Sequence, residues 1–162
     1  MSLEQVRLHL SRWNKDKDII ESGLSIATVE LAAKALGVEP ARIAKSISLR
    51  NSENDAAGSG AMMLVTAGDM KLDNKKFRAQ FGFKPRMLSP GEVLALIGHA
   101  IGGVCPFALP SGVNVYLDNS LKRFATVFPA TGNENSAIEL TPAELAEYSL
   151  SSGWVDVCVI KN

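Results

Sequence analysis

Apolar positions in the first forty residues recur every three to four places. Leu3, Val6, Leu10 and Trp13 predict an amphipathic helix over residues 3–13, and Leu31, Ala32, Ala35 and Leu36 predict a second helix after Thr28. Thr28 suits the N-cap, because its hydroxyl can accept from a first-turn amide. Gly37 suits the left-handed C-cap, and Pro40 the opening position of a further short helix. Between the two helices, residues 14–18 read as a polar turn and residues 18–21 as a short strand closed by Ser22-Gly23. From Lys45 the period changes to two. Lys45, Ile47 and Leu49 alternate with Ser46, Ser48 and Arg50, which predicts a strand. Residues 51–60 (NSENDAAGSG) are small and polar, the composition of a mobile hairpin tip. Residues 61–67 (AMMLVTA) are apolar throughout, as in a strand buried on both faces.

Strong punctuation divides the second half. Asp73 and Gly82 bracket a helix predicted over residues 72–81, and residues 85–88 read as a short strand. Ser89, Pro90 and Glu92 form a capping box that opens a helix to Ile97; Thr141, Pro142 and Glu144 repeat the device for a helix to Tyr148. Strands are predicted at residues 113–117, 125–129, 137–140 and 154–160, with turns at Asp118-Asn119 and residues 131–135. There is no internal repeat and no linker. The expectation is one domain over residues 1–162, of α+β class, with helices around a mixed, largely antiparallel sheet or barrel.

Composition narrows the classes. The chain has 162 residues, 46% hydrophobic and 21% charged, with zero formal net charge. That argues against a protein that holds nucleic acid by bulk charge, though not against a local basic patch. Such a patch is available in Lys71, Lys75, Lys76, Arg78, Lys84 and Arg86, which reads either as a solvated face or as a contact for phosphates. Two cysteines and two histidines, in no ligand spacing, argue against a disulfide framework or a zinc site. No apolar run approaches a membrane span, and the first residues lack a signal-peptide core. A cytoplasmic enzyme or binding module is expected.

Two places carry candidate chemistry. Lys45 shares its strand face with aliphatics. A buried ammonium there needs a partner or a ligand, whereas a strand beginning later would leave it an ordinary exposed lysine. Gly102-Gly103-Val104-Cys105-Pro106 lets backbone approach a ligand closely and can aim amides at an oxyanion; it is equally the composition of a plain tight loop. Cys105 invites a nucleophile reading, which requires a nearby base or cation, against that of a small buried side chain. His99 suits a general acid or base, or a loop histidine bonded to backbone. Thr66 either lines a pocket from the buried strand or bonds to backbone. Gly132, Asn135 and Ser136 make a second polar turn.

Whole segments resemble the YbaK/ProX family of aminoacyl-tRNA editing domains. Residues 32–47 (AAKALGVEPARIAKSI), 67–77 (AGDMKLDNKKF), 98–110 (GHAIGGVCPFALP), 113–121 (VNVYLDNSL) and 132–145 (GNENSAIELTPAEL) follow the family's order and spacing. The resemblance implies a YbaK-like fold and hydrolysis of the ester of mischarged aminoacyl-tRNA, with tRNA(Pro) carrying alanine, cysteine or 2-aminobutyrate as expected substrate. It implies Lys45 as the functional cation and the loop from Gly102 to Pro106 as the holder of the aminoacyl end. Thr66, His99, Gly132, Asn135 and Ser136 are expected around the substrate. Prolyl-tRNA synthetase is the implied partner, and no metal or organic cofactor is implied. Residues 133–137 lack the histidine or aspartate that tunes substrate choice in some members. The alternative is a non-catalytic module that binds aminoacyl-tRNA or a synthetase.

Overall fold

The computed structural model describes residues 2–52 and 60–161. The chain opens with α1 (Ser2–Leu10), which continues into a 3₁₀ turn over Ser11–Trp13. The predicted helix over residues 3–13 is therefore α-helical only to Leu10 and finishes as 3₁₀, closed by Asn14 in a left-handed conformation (φ 58°). After a second 3₁₀ turn over Asp16–Asp18 come β1 (Ile20–Glu21), α2 (Val29–Leu36) and β2 (Ile43–Arg50). Then follow β3 (Ala61–Ala67), β4 (Met70–Leu72), α3 (Asn74–Phe81) and α4 (Pro90–Ile97). The chain ends with β5 (Asn114–Asp118), β6 (Phe128–Pro129), β7 (Ser136–Ala137), α5 (Pro142–Tyr148), β8 (Gly153–Val155) and β9 (Cys158–Ile160).

The fold is α+β around a mixed sheet. Five strands run in the order β6-β2-β3-β5-β8, and the pairs β1-β7 and β4-β9 flank them. The longest ladder, β2 with β3, is antiparallel from Ala44↔Ala67 to Arg50↔Ala61. The small pairs are antiparallel too, while β6, β5 and β8 join the central sheet in parallel. β3 is buried along its whole length, as its apolar run requires.

Several predicted boundaries move for identifiable reasons. Leu72 belongs to β4 rather than to the helix, because it pairs with Cys158; the helix starts after Asp73, whose carboxylate accepts from the Lys76 amide at 2.9 Å. The predicted strand at 85–88 reduces to one bridge, Leu49↔Met87. Pro85 has no amide to extend that ladder. The strand expected over 154–160 is two strands, because β8 pairs with β5 and β9 with β4. Asp118 holds the break by accepting from the Val157 amide (3.0 Å) with one oxygen and the Ser120 amide (3.0 Å) with the other. The expected strands at 125–129 and 137–140 shrink to β6 and β7, tied by the bridges Val127↔Leu140 and Ala130↔Ala137. The expected hairpin tip at 51–60 falls, for residues 53–59, outside the described residues.

The main core lies on the faces of the five-stranded sheet. Phe77 is fully buried there and meets Phe81 at 4.6 Å and Phe83 at 5.5 Å between ring centroids; Phe81 reaches Tyr116 of β5 at 5.0 Å. This aromatic group is what fixes α3 to the sheet. Phe77→Ala should destabilise the protein by about 3–5 kcal/mol, read as a lower urea midpoint at unchanged slope. A smaller second cluster joins Ile26, Ala32, Ala33, Ile43, Phe128 and Ala137, and the candidate site opens against it.

Candidate functional site

The second core cluster is one wall of a cleft of about 230 Å³. α2 lies over it because Thr28 caps the first turn (Leu31 amide to Thr28 hydroxyl, 3.2 Å) and Gly37 turns the chain out with φ 69°. Residues four apart on a helix share a face. Ala32 and Leu36 point inward on that basis, whereas Leu31, one of the periodic apolar positions, is 44% exposed. The floor is the start of β2 with Phe128, and Gly102, Val104 and Ile101 close the other side. Apolar groups dominate the lining, and the polar exceptions are Thr28, Lys45 and Ser46.

Lys45 enters from β2, two residues past the strand's actual start. It is half-buried, and Nζ donates to the Met70 carbonyl at 2.5 Å. Burial holds its pKa below the ordinary lysine value. The charge of Lys161 adds to that lowering, and Glu30 and Asp69 oppose it. The turn that supplies the Met70 carbonyl is itself clamped. Arg123 donates to both oxygens of Asp69 (2.6 and 3.0 Å), and the Lys161 amide donates to the Asp69 carbonyl (2.8 Å). One ammonium proton is thus committed and two remain for a ligand.

The glycine loop is shaped by close backbone approach. A Cβ on Gly103 would sit 2.7 Å from Asn133 Cα and 2.8 Å from the Gly132 carbonyl oxygen, so only glycine fits. The Gly103 amide donates to the Ala100 carbonyl (3.0 Å) and closes a turn. Gly103 is therefore not a free donor, contrary to the expectation for the whole loop. Among the described residues, the amides of Val104 and Cys105 donate to no protein acceptor. Unpaired amides beside a cleft are what a developing oxyanion requires.

The remaining expected residues lie around the cleft rather than in it. Cys105 is fully buried, and burial pushes its thiol up to about 12, the reverse of an activated nucleophile. Iodoacetamide should leave Cys105 unmodified in the native protein and react once urea unfolds it, as peptide mass spectrometry would show. His99 is fully buried behind the loop, and Pro106 faces a separate cavity bordered by His9 and Arg12. Thr66 stands opposite Lys45 in the ladder, but its hydroxyl lies 3.2 Å from that of Ser120 inside the core. Gly132, Asn135 and Ser136 are braces. Asn135 receives the Ser22 amide on its carbonyl (2.7 Å) and donates its side-chain amide to the Ser22 carbonyl (3.1 Å). Ser136 accepts from Thr131 (2.6 Å), and Gly132 (φ 111°) passes against the backbone of Ser2. Asn135, with the Glu134 carbonyl that accepts from the Ile26 amide (2.7 Å), holds the strap carrying Ile26 and Ala27 into the cleft wall.

The α2 wall, Phe128, Ala130 and Ala137 were not among the expected site residues. Their apolar character reads as core in the sequence; Ala32 and Leu36, one helical turn apart, were the available signal. The basic run has no cleft contact, and Lys76 is paired with Asp156 at 3.0 Å. Among the described residues, no helix is long and apolar enough to cross a membrane, and no three His, Cys, Asp or Glu side chains gather where they could hold a metal ion.

Comparison with known proteins agrees with this geometry. The family profile described as aminoacyl-tRNA editing domain matches residues 25–148. Uncharacterized protein YwhH of Bacillus subtilis (strain 168) is 58% identical over 158 residues, 98% of each chain. Proline–tRNA ligase of Thermotoga sp. (strain RQ2) is 32% identical over 91 residues, which are 56% of this chain and only 14% of the ligase. The crystal structure of a candidate trans-editing enzyme for prolyl tRNA synthetase superposes with a TM-score of 0.83 at 28% identity, over 99% of this chain and 98% of that one. The cleft, its lysine and its glycine loop thus lie in a chain that belongs to the aminoacyl-tRNA editing domain family.

Proposed function

We propose that the protein is a hydrolase acting in trans on mischarged aminoacyl-tRNA, with tRNA(Pro) bearing a small amino acid as its substrate. The observation that carries this reading is that a half-buried cation, Lys45, shares one apolar cleft with Gly102 and Val104 of a loop whose Val104 and Cys105 amides have no protein acceptor among the described residues. An aminoacyl ester is already activated, so positioning and charge stabilisation supply much of the catalysis. Water adds to the ester carbonyl carbon, and the amides receive the developing oxyanion. The bond to the ribose oxygen then breaks, releasing the free amino acid and a terminal hydroxyl. Lys45 offsets the negative charge of the terminal phosphate or of the intermediate. The amino-acid side chain lies against Ala32, Ile43, Phe128 and Ala137. A pocket distinguishes one methylene by only about 1–3 kcal/mol, which is why synthetases leave small non-cognate residues to be edited. In this reading residues 1–162 act as one editing domain in the cytoplasm, alongside prolyl-tRNA synthetase.

One observation favours a second reading, a module that binds aminoacyl-tRNA without hydrolysing it. Among the described residues, the cleft lining offers no histidine, cysteine or carboxylate as general base. Both readings are tested by incubating the protein with tRNA(Pro) charged separately with alanine, cysteine, 2-aminobutyrate and proline. Loss of one non-cognate ester with proline spared is expected. If every ester outlasts the buffer control while the charged tRNAs still bind, the module reading takes its place.

A further inference from the structure

The glycine loop is closed from behind by one imidazole. His99 follows Gly98, the left-handed C-cap of α4 (φ 85°), and is fully buried. Its Nε2 lies 2.8 Å from the Phe107 carbonyl oxygen. A carbonyl only accepts, so Nε2 carries the hydrogen and Nδ1 is left as a lone pair. Nδ1 has no partner among the described residues. The Cys105 sulfur lies 3.4 Å from the same Nε2, and its thiol is directed at the Phe107 carbonyl at 3.8 Å. Between these two anchor points run Gly102 and Val104, which line the cleft, and the two unpaired amides.

We infer that His99 is a positioning residue, whose neutral Nε2–H form clasps the two ends of the loop and so fixes Val104, which lines the cleft, together with the unpaired amides of Val104 and Cys105. This rests on the deacylase reading of that site. Packing against residues 132–133 and the core confines the loop, but among the described residues it has little internal hydrogen bonding. Gly102 stands at φ 96°, and the internal turn from the Gly103 amide to the Ala100 carbonyl closes only its first half. Closing the remaining span with one well-placed hydrogen bond removes freedom that would blur the direction of both amides.

The clasp has a definite protonation requirement. A second proton would go to Nδ1, where no acceptor waits. Burial accordingly holds the pKa of His99 below 6.5, against the smaller opposing effect of the Phe107 carbonyl. The unfolded chain then binds the proton more tightly than the folded one. The contribution of the clasp is complete above 6.5 and declines as the pH falls below it. The groups facing the ring are the Cys105 thiol, still protonated, and the Phe107 carbonyl; from α1, His9 packs on the Phe107 ring at 6.1 Å and has its own pKa lowered by burial. The test therefore has to separate His99 from His9.

His99→Gln keeps an amide N–H near the position of Nε2 without a titrating group, and His99→Leu removes the donor. Deacylation kinetics and hydrogen exchange of the loop amides are measured for both. Well above pH 6.5, His99→Leu is expected to lower kcat roughly 10- to 100-fold with KM within about threefold, while His99→Gln keeps kcat within about threefold. Below pH 6.5, wild type loses loop protection and His99→Gln does not. A His99→Leu protein with wild-type kcat and loop protection, or a His99→Gln protein as impaired as His99→Leu, overturns the inference. If wild type hydrolyses no ester, the deacylase reading fails by itself. Exchange still decides the clasp: raised loop exchange in His99→Leu alone upholds it, and equal exchange in both variants overturns it.

Discussion

Lys45→Met is expected to lower kcat/KM for the non-cognate ester by about 100-fold or more while leaving the protein at least as stable as wild type. The two effects have one cause. The ammonium sits in a half-buried site where its desolvation is only partly offset by the Met70 carbonyl, Glu30 and Asp69. That is unfavourable for folding and useful for an anionic ligand, whose negative charge would complete its solvation. Because the folded pKa lies below 10.5, the unfolded chain holds the proton more tightly, and the destabilisation is relieved as pH rises toward 10.5. Methionine fills a similar volume and carries no charge, so the variant should lose this alkaline rise in stability. Single-turnover deacylation and urea titrations at neutral and alkaline pH measure both halves. A methionine variant with wild-type turnover would remove Lys45 from the chemistry.

Gly103→Ala should be damaging in the opposite sense, through stability and activity together. The new methyl group meets backbone on every near side: Asn133 Cα at 2.7 Å, the Gly132 carbonyl oxygen at 2.8 Å and the Asn133 amide nitrogen at 2.9 Å. None of these can rotate away as a side-chain tip could. The loops 100–106 and 131–135 must separate, at about 1–3 kcal/mol for overpacking. That movement carries the Val104 and Cys105 amides off their line, so kcat should fall by roughly 100-fold, with the urea midpoint lowered. Gly91→Ala is the control, since nothing lies within 4 Å of the added carbon there. A Gly103→Ala protein with wild-type kcat would mean that the loop tolerates displacement.

The sequence made the rigid features easy to read and the shared ones hard. Both capping boxes are present as expected, because Ser89 with Glu92 and Thr141 with Glu144 act within four residues. The apolar run 61–67 is a buried strand because no polar position interrupts it. Lys45 stood out as a cation among aliphatics, and its partner, the Met70 carbonyl, lies 25 residues away, where no local pattern could find it. Strand ends were misread wherever a partner decides them. Leu72 pairs with Cys158, and Asp118 splits the last strand by binding the Val157 amide. The cleft wall was missed for a related reason: Ala32, Phe128 and Ala137 look like core in one dimension and become a surface only when α2, β6 and β7 meet.

The central sheet joins strands that lie far apart in the chain. The β3–β5 ladder pairs Leu64 with Tyr116 in parallel, and β2 meets β6 by pairing Ile43 with Phe128 and Ala44 with Pro129. Such distant pairings close long loops before any contact repays the lost chain freedom, and they slow folding. The cleft draws its walls from residues 26–46, 101–104 and 128–137, so it forms only when the last of these pairings is in place. A partly folded chain is then expected to lack the cleft. Binding would then report complete folding, and the ligand would raise the unfolding midpoint of the chain as one cooperative unit.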